Sequence, residues 1–248
     1  TDGTYWGRCT ALLITPRLLL TASHCGDTGY ASFFEYDASG GTRFATAQID
    51  VETRFDFAHN TEHNEKIDIS LRKLVETAPV EPYWYPLSNT TESLAGTTIE
   101  VAGFGRTETG ETSNVLRQGL ECSVSRDVFT NTGHGGGTPD KRCDYDCTYP
   151  DPETSPESGD SGAPVFTKAC EVVGIHTNSS GSIGIAQYLG YAIEDGSRPY
   201  LDWIYSIIAA EDPDYYTELL HHHLGLPNTS SEAELLGRFA VFGEQAVE

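Results

Sequence analysis

The sequence predicts an all-β protein whose helices gather at the C-terminal end. Three observations carry this. Short apolar or alternating runs recur along most of the chain, separated by Gly, Asn, Asp and Ser, the residues that close turns between strands. No internal repeat or low-complexity linker interrupts them. Helical periodicity appears only from Pro199 onward. The 248 residues suffice for one large domain or two small ones, and a hydrophobic content of 38% with 10% aromatics supports a real core. Many short strands of this kind build a sandwich or a barrel.

Taken in order, residues 11–21 read as an apolar strand pair or hairpin. Further strands are expected at 43–51, 97–104, 119–125, 164–166, 171–176 and 190–193. The stretch 132–152 carries three consecutive glycines, charges and two Cys, and reads as an irregular surface loop. Residues 199–210 place Leu201, Ile204, Ile207 and Ile208 at helical spacing before Pro213 breaks the chain. A second helix is expected at 215–224. A third begins at Ser231-Glu232-Ala233-Glu234, where the Ser oxygen and the Glu carboxylate can satisfy end N–H groups, and carries Leu235, Phe239 and Phe242 on one face. Such faces dock on the parent domain or on a partner, so residues 213–248 are a candidate docking tail.

Charge narrows the function. The formal net charge is −22, which opposes nucleic-acid binding and electrostatic attachment to anionic membranes. No apolar run approaches the roughly 20 residues of a membrane helix; the longest, 11–20, is broken by Thr15, Pro16 and Arg17. There is no signal peptide and no Met, even at position 1, so a processed or cut chain is expected. Six Cys fit three disulfides and an oxidising compartment, although paired Cys can also bind metal.

Three motifs carry chemistry. In Gly159-Asp160-Ser161-Gly162-Ala163-Pro164, a Ser between glycines can sit on a tight turn with Oγ exposed, and the glycines let backbone N–H groups converge on one point. In Thr21-Ala22-Ser23-His24-Cys25, a His ends an apolar strand, and imidazole is the side chain able to act as a general base near neutral pH. In Ile67-Asp68-Ile69-Ser70-Leu71, an Asp lies among apolar residues, and a buried carboxylate needs a partner such as a His N–H. Each alone has a bland reading: a plain turn, a structural His, an edge-strand Asp.

Together, in the order His24, Asp68, Ser161, they resemble the chymotrypsin/trypsin-like serine proteases, and their spacings are close to that family's. Val101-Ala102-Gly103-Phe104-Gly105 resembles the strand that opens its second barrel. Tyr200-Leu201-Asp202-Trp203-Ile204 resembles the start of its C-terminal helix. The resemblance covers roughly residues 5–210. It implies two six-stranded antiparallel β-barrels with a C-terminal helix and an extra helical tail: a first barrel over 1–100, a second over 101–196, and helices over 197–248. It implies a secreted, extracellular or periplasmic endopeptidase acting on polypeptides without cofactor or metal. His24 would be the general base, Asp68 its orienting partner, Ser161 the nucleophile, and the N–H groups of Gly159 and Ser161 the oxyanion hole. It also implies disulfides Cys9–Cys25 and Cys122–Cys170; Cys143 and Cys147 are then expected to close a small loop, with zinc at these two as the alternative.

The chain departs from the family in several places. Only eight residues precede Cys9, so the strand that starts the first barrel is missing from the sequence pattern, and Asp160 lacks the freed N-terminal amine as its partner. Glu157 stands where the family often has Cys. Ser155 stands where trypsin-like members carry a pocket Asp. Gly174-Ile175-His176-Thr177 is similar to a segment of bacterial glutamate-specific members in which the His binds a substrate carboxylate; a structural His is the alternative. Ser155, His176, Thr177, Asn178, Ser179 and Gly190 are the expected pocket. The competing functional reading is a zymogen-like or non-catalytic homologue that binds or regulates. Consecutive His221, His222 and His223 point about 100° apart on a helix and do not converge on one ion.

Overall fold

The chain's most apolar stretch folds back on itself. β1 (Cys9–Thr15) and β2 (Leu18–Thr21) pair antiparallel across Pro16 and Arg17, and every residue of both strands is buried. Thr15 Oγ1 closes the turn by accepting the N–H groups of Arg17 and Leu18 at 3.1 and 3.0 Å. This computed structural model describes residues 8–26, 29–34, 43–57, 67–80, 85–88, 98–106, 110, 116–126, 142–146, 157–167, 171–180, 183–190, 199–216 and 239–242.

Three more strands follow in the first half: β3 (Tyr30–Phe34), β4 (Arg43–Asp56) and β5 (Ser70–Leu74). The second half supplies β6 (Thr98–Gly103), β7 (Arg117–Arg126), β8 (Arg142–Asp146), β9 (Pro164–Thr167), β10 (Val172–Ser180) and β11 (Ile183–Tyr188). The last strand, β12 (Phe239–Phe242), returns to the first half. Two closed barrels result, ordered β1-β12-β3-β4-β5-β2 and β10-β11-β8-β7-β6-β9. Among the described strands, closure leaves no sheet edge to pair with other chains. The two barrels and few helices are the architecture expected from the sequence.

The helix α1 (Pro199–Glu211) leaves the second barrel and packs back on the first. It buries Tyr200, Leu201, Ile204 and Ile208. Phe57 meets Tyr200 and Trp203 edge-on, with ring centroids 5.0 and 5.5 Å away. Lys73 Nζ donates to Glu211 Oε2 at 2.5 Å. A single hydrophobic core joins both barrels to this helix, with Leu12, Leu13, Leu18, Leu19, Leu20 and Phe33 almost wholly excluded from water. Each such side chain contributes roughly 1.5–3 kcal/mol by burial.

The structure corrects several expectations. Residues 239–242 form a strand, not the end of a helix. Phe239-Ala240-Val241-Phe242 is short and apolar, and pairing with both β1 and β3 satisfies its backbone on two sides. The Phe239/Phe242 spacing read as helical was too short to separate the two periods. Residues 239–242 therefore belong to the first barrel, which reaches six strands without one from ahead of Cys9. The second barrel begins at Thr98 rather than 101. The stretch read as loop contains β8, which pairs with β7 and β11. β4 runs on to Asp56, and the strand expected from 190 is preceded by β11, which ends at Tyr188. Pro213 breaks α1 but also opens a new helical turn at 213–216, where its missing N–H is harmless. The remainder of the second expected helix lies outside the described residues.

Candidate active site

The first barrel positions the His–Asp pair. β2 ends in a single 3₁₀ turn, Ser23–Cys25, which Gly26 terminates at φ +71°. A disulfide from Cys25 to Cys9 ties this turn to the start of β1. Asp68 lies just ahead of β5 and accepts from the turn at both oxygens. Its Oδ1 takes the Ser23 hydroxyl and the His24 backbone N–H, each at 2.9 Å. Its Oδ2 lies 2.7 Å from His24 Nδ1. Burial alone would raise the Asp68 pKa; the bond to His24 and the imidazole's charge, helped by the His24 N–H and the Ser23 hydroxyl, outweigh it and hold the pKa below its ordinary value. The His24 side chain keeps 46% exposure, open to a substrate.

Two arginines brace the same turn. Arg54 of β4 donates to the Ser23 carbonyl at 2.7 Å and to Asp56 at 2.6 Å. Arg72 of β5, only 2% exposed, donates to Ser70 Oγ at 2.6 Å and to the Gly26 carbonyl at 3.1 Å. Sequence reasoning missed Ser23, Arg54 and Arg72. Ser23 had a signal, being adjacent to His24; the arginines had none, because strand pairing brings them there.

The second barrel presents Ser161 on a turn whose flanking glycines, Gly159 and Gly162, have φ of +107° and +86°. A Cβ on Gly162 would lie 2.1 Å from Thr21 Oγ1 and 2.2 Å from the Thr10 carbonyl, so only Gly fits against the first barrel. The Gly162 N–H donates to the His176 carbonyl at 2.7 Å, and the His176 N–H to the Ala163 carbonyl at 2.8 Å, continuing the β9–β10 pairing up to the Ser161 turn. Cys25 Sγ, which has no proton in the disulfide, packs 3.7 Å from the Ser161 carbonyl oxygen. Among the described residues, the N–H groups of Gly159 and Ser161 donate to no other group, and no hydrogen bond joins Ser161 Oγ to His24. Such bonds commonly tighten only when substrate is bound.

Asp160 is met by backbone. Its Oδ1 accepts from the Gly105 N–H at 2.7 Å and its Oδ2 from the Glu157 N–H at 2.9 Å. The carboxylate fills the space that side chains at 103 and 105 would occupy, which explains the Gly-Phe-Gly spacing.

His176 is 2% exposed on β10. Burial, and then the charge of His24, push its pKa down to about 3 against a smaller opposing effect of Asp68, so it is neutral at neutral pH. Thr177 is buried and Asn178 exposed beside it. Ser179 pairs with Gly184. Gly190 does not join this group: it follows Leu189, whose N–H bonds Val173, at the opposite end of the β10–β11 pair. Gly184 is the glycine across from the expected pocket wall. Ser155, Cys147, Cys170 and the three consecutive histidines lie outside the described residues. Cys122 and Cys143 fall on β7 and β8. Cys9, His24 and Cys25 cluster closely, but both sulfurs are spent in the disulfide and offer no thiolate to a metal.

A family model described as Trypsin matches residues 3–204. Among solved structures, a mutant of human heparin binding protein (CAP37) is similar at a TM-score of 0.59 and 19% identity, the match covering 83% of this chain and 87% of that one. No curated protein matches.

Proposed function

From the premise that this chain belongs to the trypsin family, we propose that it is a secreted serine endopeptidase working through His24, Asp68 and Ser161. The observation that carries the reading is the His24–Asp68 pair at 2.7 Å, with the second carboxylate oxygen occupied by Ser23 and the His24 N–H. That arrangement fixes the imidazole so that Nδ1 keeps its proton and Nε2 is the base. Ser161 Oγ attacks the peptide carbonyl carbon and gives its proton to Nε2. The carbonyl oxygen takes the negative charge and is met by the Gly159 and Ser161 N–H groups. His24 passes the proton to the departing amine, leaving an acyl-enzyme that water, deprotonated by His24, hydrolyses. The Cys9–Cys25 disulfide fits an oxidising compartment.

Substrate backbone would extend along Thr177, Asn178 and Ser179, where β10 runs past its ladder with β9. An acidic side chain in the pocket would have to take a hydrogen bond from His176, which is buried and neutral beside the Ser161 turn. Heparin binding, named for the similar structure, is opposed here by a net charge of −22, which repels a polyanion.

An active-site-directed phosphonate tests the reading. Ser161 should be labelled, and Ser161→Ala should lower kcat on peptide substrates by about 10⁴-fold or more. Folded protein that resists labelling, or near-wild-type turnover by Ser161→Ala, would overturn it and favour the non-catalytic binding homologue.

A further inference from the structure

Thr10 is the residue through which the first barrel holds the nucleophile loop of the second. It lies in β1, fully buried. Its hydroxyl donates to the Gly159 carbonyl at 3.0 Å and accepts from the Phe104 N–H at 3.0 Å. Its backbone N–H donates to the Ser161 carbonyl at 2.8 Å. Its own carbonyl accepts the Thr21 hydroxyl at 2.9 Å. One buried side chain and its backbone thus grip Gly159 and Ser161, the two residues whose N–H groups would face the substrate oxygen.

We infer that Thr10 is a positioning residue that sets the oxyanion hole, acting through Gly159 and Ser161 without touching substrate. This rests on the protease reading above. The physical case is conformational. Gly159 sits at φ +107°, and a glycine has ready access to backbone conformations of either sign. Rotation about its φ swings its N–H away from the site. A hydroxyl fixing the carbonyl of the same residue restricts that rotation, and Phe104 fixes the hydroxyl. The Thr10 N–H does the same for Ser161. A hole held before substrate arrives needs no reorganisation during reaction, which is the source of its catalytic effect.

The test compares Thr10→Val, Thr10→Ala and Thr10→Ser in the whole chain. Valine keeps the shape and removes the hydroxyl. Serine keeps the hydroxyl. The Val and Ala variants should lose about 10–100-fold in kcat, with KM on a peptide substrate within about threefold of wild type. Affinity for a peptide boronic acid, whose tetrahedral adduct places an oxygen in the hole, should fall in parallel. Thr10→Ser should stay within about threefold of wild type on every measure. Folded Val and Ala variants with wild-type kcat would overturn the inference, as would a Ser variant as impaired as Ala. Should valine prevent folding, judged by circular dichroism, the Ala and Ser pair decides. Failure of the protease reading is distinct: there, the wild type itself resists the phosphonate.

Discussion

The two barrels each bring one histidine toward the site, and the two are opposites. His24 sits on a solvent-facing turn, 46% exposed, with a carboxylate at 2.7 Å. His176 sits inside a strand, 2% exposed, with burial driving its pKa down to about 3. The same side chain is left open to solvent beside a carboxylate in one barrel and is buried and neutral in the other. The contrast comes from surroundings: Asp68 and an open face for His24, a closed sheet for His176.

Asp68→Asn breaks that contrast at its strongest point. It keeps the shape but removes the charge and allows the wrong imidazole tautomer, so kcat should fall by about 10⁴-fold while the fold survives. Steady-state kinetics beside a circular dichroism spectrum check this; a loss under tenfold would mean that His24 works without its carboxylate.

Ala240→Pro strikes the first barrel alone. Ala240 pairs with Ala11 on one side and Phe33 on the other, so a proline there removes a ladder N–H from a central strand. A cost of about 3 kcal/mol is expected in urea denaturation. An unchanged midpoint would show that β12 adds nothing to the barrel.

His176→Gln gives the smallest effect, visible mainly in acid. The His176 pKa is lower folded than unfolded, so between about pH 6.5 and 3 the unfolded state binds more protons. The stability tied to the neutral imidazole is therefore present above 6.5 and is lost as pH falls through that window, by at most about 1.4 kcal/mol per pH unit. Asp68, with its pKa held below 3.8, adds an acid loss only lower down. Denaturation midpoints at pH 7 and 4.5 should fall less in the Gln variant than in wild type. Equal falls would remove His176 as the cause.

Much of the site was legible because it is local. Gly159–Ser161–Gly162, His24 beside Cys25, and Asp68 among apolar residues each announce themselves within a few positions, and chain order ties them together. What escaped was carried by pairing between distant segments. Thr10, Arg54 and Arg72 look like ordinary strand residues until register sets them against Gly159, Ser23 and Gly26. Gly190 was expected in the pocket, whereas Gly184 lies across from Ser179, because neighbours across a strand pair depend on register. β8 and β12 were missed because a four- or five-residue strand has too few positions to show a period.

The pairing of Cys9 with Phe242 also sets an order of assembly. The first barrel holds β1 to β5, which are synthesised ahead of the second barrel's strands, yet it cannot close until residue 242 has left the ribosome. The second barrel, complete by Tyr188, has all its strands much sooner. A chain without β12 would leave the facing edges of β1 and β3 unpaired, open to any extended segment that fits between them. Contacts of such long sequence separation form slowly, because the entropy of closing the loop precedes the reward. β12 is thus a latch on the first barrel, and the His24–Asp68 pair is the part of the candidate site that waits for it.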